Sequence, residues 1–368
     1  MLFFWILIGS AILFFIQRTL YISKWDHKLS IEFGFSERAV NEGEAAVVLE
    51  RSMNRKLLPL PSFGYRYVVK RNYTASQKGW AEAMTLKRKL AIPSRRVVTN
   101  RAKINGLTRG VYSIDEICIS ASDLFQTCHM ERSLDCFSLL TVYPAKIPVQ
   151  KLSLPVRLLM GSVTTRRMAQ EDPFALKSIR PYEIYDSPKL INWKASAKTG
   201  ELKVNQFEYT TDEALIFLLD MGCGEENDRE EMLRLASSLS LLFLRRGVSV
   251  SVLANGRNCS TGLPLRVLSG AGLGHQIAVD EALAHVNLAH QATEPFADFL
   301  TKVSGETLRN ALPVVISADA TGESLRAFES YPGMKGGYFL AVNGKGNFRR
   351  EGGVTLINWN GAEGTAKL

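Results

Sequence analysis

At 368 residues, with 46% hydrophobic and 22% charged positions, the chain has ordinary globular composition and room for two or three domains, which excludes a disordered or fibrous protein. Its formal net charge of +9 is uneven, since Ile22 to Gly110 carries 18 Lys and Arg against 7 Asp and Glu. Five cysteines (Cys118, Cys128, Cys136, Cys223, Cys259) are odd in number and lack C-x-x-C spacing. They read as reduced thiols of a cytosolic domain rather than as a disulfide framework or zinc site.

Residues 1–22 are expected to form one transmembrane helix. Met1 to Ile16 holds no charge, and Arg18 precedes a second apolar patch at Leu20 to Ile22. Sixteen helical residues span only about 24 Å, but continuing to Ile22 with Arg18 snorkelling gives about 33 Å, enough for a bilayer. A cleaved signal peptide is the alternative; against it, the start has no basic n-region and no small-x-small cleavage site. Arg18, Lys24 and Lys28 all follow the apolar run, which places the bulk of the chain in the cytoplasm.

Over residues 23–160, short β-rich runs separated by turn residues predict an antiparallel β-sandwich. They include Ala45 to Glu50, Tyr65 to Val69, Val111 to Ser120 and Cys136 to Pro144. The basic surplus before Gly110 is interleaved with Tyr65, Tyr67, Tyr73 and Trp80, which would suit single-stranded nucleic acid through stacking and phosphate contact. A charged face drawn to anionic lipid is the simpler reading so near a membrane.

Arg180 to Leu202 mixes Tyr182, Tyr185 and Trp193 with Glu183, Asp186 and Glu201 and with Arg180, Lys189, Lys194 and Lys198. Pro181 and Pro188 break it into turns. Arg180, Tyr182, Asp186, Lys189, Ile191, Trp193 and Lys198 resemble the signature of the domain of unknown function 58 family. Tyr185 stands where that family has Gly, and Lys189 and Lys198 replace arginines, keeping the charge but losing a planar fork for anions. Arg109-Gly110-Val111-Tyr112, Ser122-Asp123-Leu124-Phe125 and Val142-Tyr143-Pro144 look like further landmarks. The stretch over 161–210 is read as a linker in which Trp193 and Tyr182 pack where two domains meet, with the charges paired at their edges.

Residues 211–368 alternate strand and helix. Strands are expected at Ala214 to Asp220, Val248 to Ala254, Pro313 to Ser317, Tyr338 to Val342 and Val354 to Trp359. Helices are expected from Asp228 to Gly247, Ala278 to His290, Pro295 to Val303 and Glu323 to Glu329. This predicts an α/β doubly wound sheet, and the order resembles a von Willebrand factor type A domain. In such domains the first strand ends in Asp-x-Ser-x-Ser, which holds a divalent cation. Here it ends in Asp220-Met221-Gly222-Cys223-Gly224, without either hydroxyl, so Asp220 with Asp319 makes a degenerate site for Mg at most.

No nucleophile elbow, HExxH or phosphate-binding loop is present. Gly344-Lys345-Gly346 reads as a hairpin turn, and Gly270 to His275 as a strand-to-helix loop rather than a dinucleotide site. The five histidines do not cluster. The leading expectation is a non-enzymatic, membrane-anchored scaffold binding a protein partner, and the family resemblance implies one of the MoxR-type AAA+ ATPase class. The enzyme alternative is a hydrolase using Glu183, Asp186 and Lys198.

Overall fold

The computed structural model describes residues 2–72, 80–169, 171–183, 186–209, 214–288, 292–303, 311–319, 322–331, 336–343, 353–360 and 365–367. The apolar N-terminal run forms a single helix, α1 (Leu2–Lys24), long and apolar enough to cross a bilayer. Its upper residues are bare. From Phe14 onward one face, marked by Phe14, Gln17, Tyr21 and Trp25 at three- to four-residue spacing, turns toward protein.

Two compact units account for the chain. The first comprises Met1–Ala145 with two later stretches, Asn258–Gly262 and Asp280–Ala289; the second holds the remainder. In the first unit α1 is followed by β1 (Leu29–Phe35), β2 (Ala39–Asn41), β3 (Ala46–Asn54), β4 (Leu60–Asn72), β5 (Trp80–Ile92), β6 (Val97–Ile104), β7 (Gly110–Ser122) and β8 (His129–Tyr143). They make two sheets, β1-β3-β6 and β2-β8-β7-β4-β5, antiparallel throughout except for the β2–β8 pair. The alternation in β3, with Ala46 and Val48 facing in, is the period-two pattern that sends one strand face to a core. Both sheets feed one hydrophobic cluster, which also takes in Tyr21 and Trp25 of the N-terminal segment.

Two tyrosines that the nucleic-acid alternative would set against bases point inward instead. Tyr65 and Tyr67 are buried, and both hydroxyls bond the carboxylate of buried Glu50. A buried carboxylate needs donors, and these phenols supply them. The pair is therefore spent on the core, while Tyr73 and the side chain of Trp80 lie outside the described residues.

The second unit contains α2 (Ser153–Ala169), β9 (Glu171–Pro181), α3 (Trp193–Thr199), β10 (Lys203–Tyr209), β11 (Ala214–Asp220), α4 (Glu226–Leu244), β12 (Ser249–Asn258, whose last residue belongs to the first unit) and β13 (Pro264–Gly270). After α5 (Leu273–Ala284), which from Asp280 onward belongs to the first unit, and the short β14 (Val286–Asn287), which lies wholly in the first unit, come α6 (Phe296–Lys302), β15 (Ala311–Ser317), α7 (Glu323–Ser330), β16 (Tyr338–Val342), β17 (Thr355–Asn360) and β18 (Thr365–Lys367). The main sheet runs β13-β12-β11-β15-β16-β17-β18, with β12, β11, β15, β16 and β17 parallel. Leu215 to Asp220 of β11 and all of β15 are buried, as expected of parallel strands covered on both faces.

Several boundaries differ from the sequence expectation. Helix α4 begins before Asp228, which is the N3 residue of a capping box closed by Glu225. Helix α5 begins at Leu273, not Ala278, and ends at Ala284, so most of the expected loop at Gly270 to His275 is strand end and helix. His275 explains this, since its Nε2 lies 2.8 Å from the Val250 carbonyl oxygen and ties the first turn of α5 to β12. Strand β13 and helices α2 and α3 carried too weak a periodicity to be read. The hairpin expected at Gly344 to Gly346 and His290 lie outside the described residues.

Candidate functional site

In a sheet whose strand order reverses, the loops leaving the two strands at the reversal diverge and open a crevice beyond their carboxyl ends. Here the reversal falls between β11 and β15, and the register sets Asp220, the last residue of β11, directly beside Ser317, the last of β15. Asp220 is 1% exposed. Its Oδ2 accepts hydrogen bonds from Ser317 Oγ at 3.1 Å and Ser324 Oγ at 2.5 Å. Its Oδ1 accepts from the Gly222 amide at 3.1 Å and from Asn255 Nδ2 at 3.3 Å. Asp319, also buried, accepts from the Ser324 amide at 2.7 Å, so both acids seat the start of α7.

Thus the structure brings Asp220 and Asp319 to one edge, as the sequence suggested, and adds Asn255, Ser317 and Ser324. The hydroxyls absent after Asp220 arrive from β15 and α7 instead. They were invisible to motif reading because they lie 97 and 104 residues downstream. Backbone geometry explains one of the two absences. Gly224 sits at φ +80°, where a Cβ would meet Ala318 Cβ at 2.5 Å, so a serine would be strained and blocked.

Whether this edge fits a magnesium ion can be judged from the donors. Both Asp220 oxygens already accept two hydrogen bonds each. Among the described residues no cluster of three or more His, Cys, Asp or Glu could hold a metal. The arrangement is that of a self-satisfied polar core and does not fit a cation as built. A pocket of about 460 Å³ opens over it, lined by Cys223, Asn255, Thr293, Glu294, Glu323 and Ser324 among others. Burial, reinforced by the charges of Asp220 and Asp319, pushes the Cys223 thiol up to about 12, so it is no thiolate nucleophile at neutral pH.

The stretch from Arg180 to Leu202 has its own construction. β9 and β10 pair antiparallel, with Lys203 opposite Pro181 and Val204 opposite Arg180. Between them a 3-10 turn at Pro188–Leu190 leads into α3, whose N-cap Asn192 accepts from the Ala195 amide and whose C-cap is left-handed Gly200. Arg180 grips Asp186 with both terminal nitrogens, Nη1 and Nη2, at 2.7 and 2.6 Å, and the Glu183 amide adds a third bond at 2.8 Å. Those bonds, Arg180 first, hold the Asp186 carboxyl below the usual range and make it a poor proton donor.

Glu183, Lys189 and Lys198 are exposed, and Tyr182 is half-buried with its amide bonded to the Leu202 carbonyl. Trp193 is 70% exposed, contrary to the expected packing role, because short α3 buries only Ser196. Tyr185 lies outside the described residues.

Residues 178–331 match the model of a family described as protein of unknown function DUF58. No curated protein matches. Among solved structures, the C-terminal domain of wzt is 11% identical with a TM-score of 0.25, covering 32% of this chain and 75% of that one. AvmM, which catalyses macrocyclization in alchivemycin A biosynthesis, is 12% identical with a TM-score of 0.24, covering 33% and 93%. Spo0M, a sporulation control protein from Bacillus subtilis, is 7% identical with a TM-score of 0.21, covering 42% and 58%. Likenesses this slight carry nothing over to this chain.

Proposed function

We propose that this chain is a membrane-anchored adaptor that holds a protein partner at the cytoplasmic face of a membrane. α1 lies in the bilayer, the first unit is a β-sandwich, and the second is a type A-like domain whose cation edge has become a structural hydrogen-bond cluster. The partner class is a MoxR-type AAA+ ATPase, as the family resemblance implies. Burial of Tyr21 and Trp25 in the first unit's core supports a retained anchor, since removing a leader through those residues would open the core. The basic residues following α1 support the cytoplasmic side.

The observation that carries the docking role is Trp193. A tryptophan left 70% exposed forfeits much of the burial a folded chain would gain from it, and large aromatics of this kind are the commonest anchors of protein interfaces. Leu202, 47% exposed, flanks the same backbone bond, from the Asn192 amide to the Lys203 carbonyl. Lys194 and Lys198 add positive charge suited to an acidic partner surface.

The test is capture from detergent-solubilised membranes by the full chain, its Trp193→Ala variant and a double variant, Asp186→Asn with Lys198→Ala. Wild type should retain an AAA+ ATPase with or without magnesium, and Trp193→Ala should lose it. Undiminished capture by Trp193→Ala would overturn the docking role. Undiminished capture by the double variant together with loss of a measured hydrolytic turnover would favour an enzyme.

A further inference from the structure

We infer that the turn between β7 and β8 is a second membrane element, inserting Leu124 and Phe125 into the inner leaflet beside α1. The inference rests on the reading of α1 as a membrane span. Protein contact extends far up the helix. Tyr21 Oη donates to the Pro59 carbonyl at 2.8 Å, Gln17 Nε2 donates to Asp123 Oδ2 at 3.0 Å, and the ring of Phe14 lies 5.6 Å from that of Phe125.

Helical rise puts Phe14 about 10 Å beyond Tyr21 along α1. On the Tyr21 side of Phe14 the helix still exposes Phe15, Ile16, Leu20 and Ile22, large apolar side chains that water disfavours and lipid accepts. A spanning α1 therefore has lipid reaching well below Phe14, and whatever touches Phe14 from the side is at lipid depth. What touches it is the turn, and the turn is dressed for that medium. Leu124 and Phe125 are 52% and 61% exposed, an unfavourable arrangement in water.

The usual objection to an irregular turn in lipid is its unsatisfied backbone. Asp123 answers much of it. Its Oδ1 accepts the amides of Thr127 and Cys128 at 2.6 and 3.1 Å, its Oδ2 accepts Thr127 Oγ1 at 2.8 Å, and its carbonyl accepts the Gln126 amide at 3.1 Å. The one charge in the turn is fully buried, so residues 124–127 present no charge outward.

The surroundings agree. The 55–59 turn meets the 93–96 turn through the Arg95 amide and Ser94 hydroxyl, both donating to the Lys56 carbonyl. Tyr21 and Trp25 tie the 55–59 turn to the base of α1, through Pro59 and Lys56. These turns expose Leu57 together with Arg55, Arg95 and Arg96. Basic side chains around apolar tips suit the anionic headgroups of an inner leaflet.

The test places a photoreactive benzophenone amino acid at Phe125 of the full chain in phosphatidylglycerol and phosphatidylcholine vesicles. The same probe at Phe14 reports the span, and at Phe137, 80% exposed on β8, reports water. Illumination should give phospholipid adducts at positions 14 and 125 and none at 137, read by mass. Adduct at 14 without adduct at 125 overturns this inference and leaves the anchor standing. Absence of adduct at 14 removes the span and the inference with it. Leu124 carries the probe should the variant at 125 not fold.

Discussion

Ser324 Oγ stands 2.5 Å from Asp220 Oδ2, joining the first turn of α7 to the end of β11 by a bond between buried partners. With Ser317 it fills the coordination that a cation would otherwise seek at that oxygen. Ser324→Ala should therefore cost about 1 to 3 kcal/mol of stability in denaturant unfolding. Millimolar magnesium or a chelator should leave the melting temperature of the wild-type chain unmoved, because a ligand bound to the folded state alone would raise it. A magnesium-dependent rise would show that the carboxylate ligates.

Trp25 tests whether α1 and the residues just after it are structural. It is 7% exposed and sits in the same hydrophobic cluster as Tyr21, Phe63 and Leu140. Trp25→Ala should destabilise the first unit by about 3 to 5 kcal/mol, measured by unfolding in detergent. A removable leader would show no such loss.

Asp123 holds its turn together. Its carboxylate accepts from Gln17 Nε2, from Thr127 Oγ1 and from the amides of Thr127 and Cys128. Asp123→Ala leaves those donors unpaired and should cost about 1 to 3 kcal/mol of stability in detergent unfolding. An unchanged unfolding midpoint would show that the carboxylate does not organise the turn.

For Asp186 the readout is its own titration. The Arg180 fork and the Glu183 amide keep its carboxyl low. In Arg180→Ala the carboxyl resonance should titrate closer to the ordinary aspartate value, while Arg180→Lys, which cannot offer two parallel bonds, should lie between.

What could be read from sequence followed from periodicity and burial. The continuous apolar run from Ala214 to Leu219 announced a covered strand, and the uncharged run before Arg18 announced α1. Asp220 and Asp319 were legible because each closes or follows such a strand. Ser317, Ser324 and Asn255 were not, since only strand order and register bring three separated stretches to one carboxylate. Tyr65 and Tyr67 left the nucleic-acid alternative open because a tyrosine among lysines looks the same whether it faces solvent or a buried Glu50. Trp193 was assigned to packing because large rings usually find cover, and the shortness of α3 denies it.

The first unit is completed by residues far along the chain. Buried Arg109 donates from one Nη1 to the carbonyls of Leu283, Ala284 and Val286, at 2.9, 3.1 and 2.9 Å. A ribosome adding about 5 to 20 residues per second leaves on the order of ten seconds between Ala145 and Ala289. During that interval a guanidinium destined for the interior has none of those acceptors, so the nascent chain waits in an unfinished state. Expression plasmids that stop near Ala145 would make that waiting state permanent.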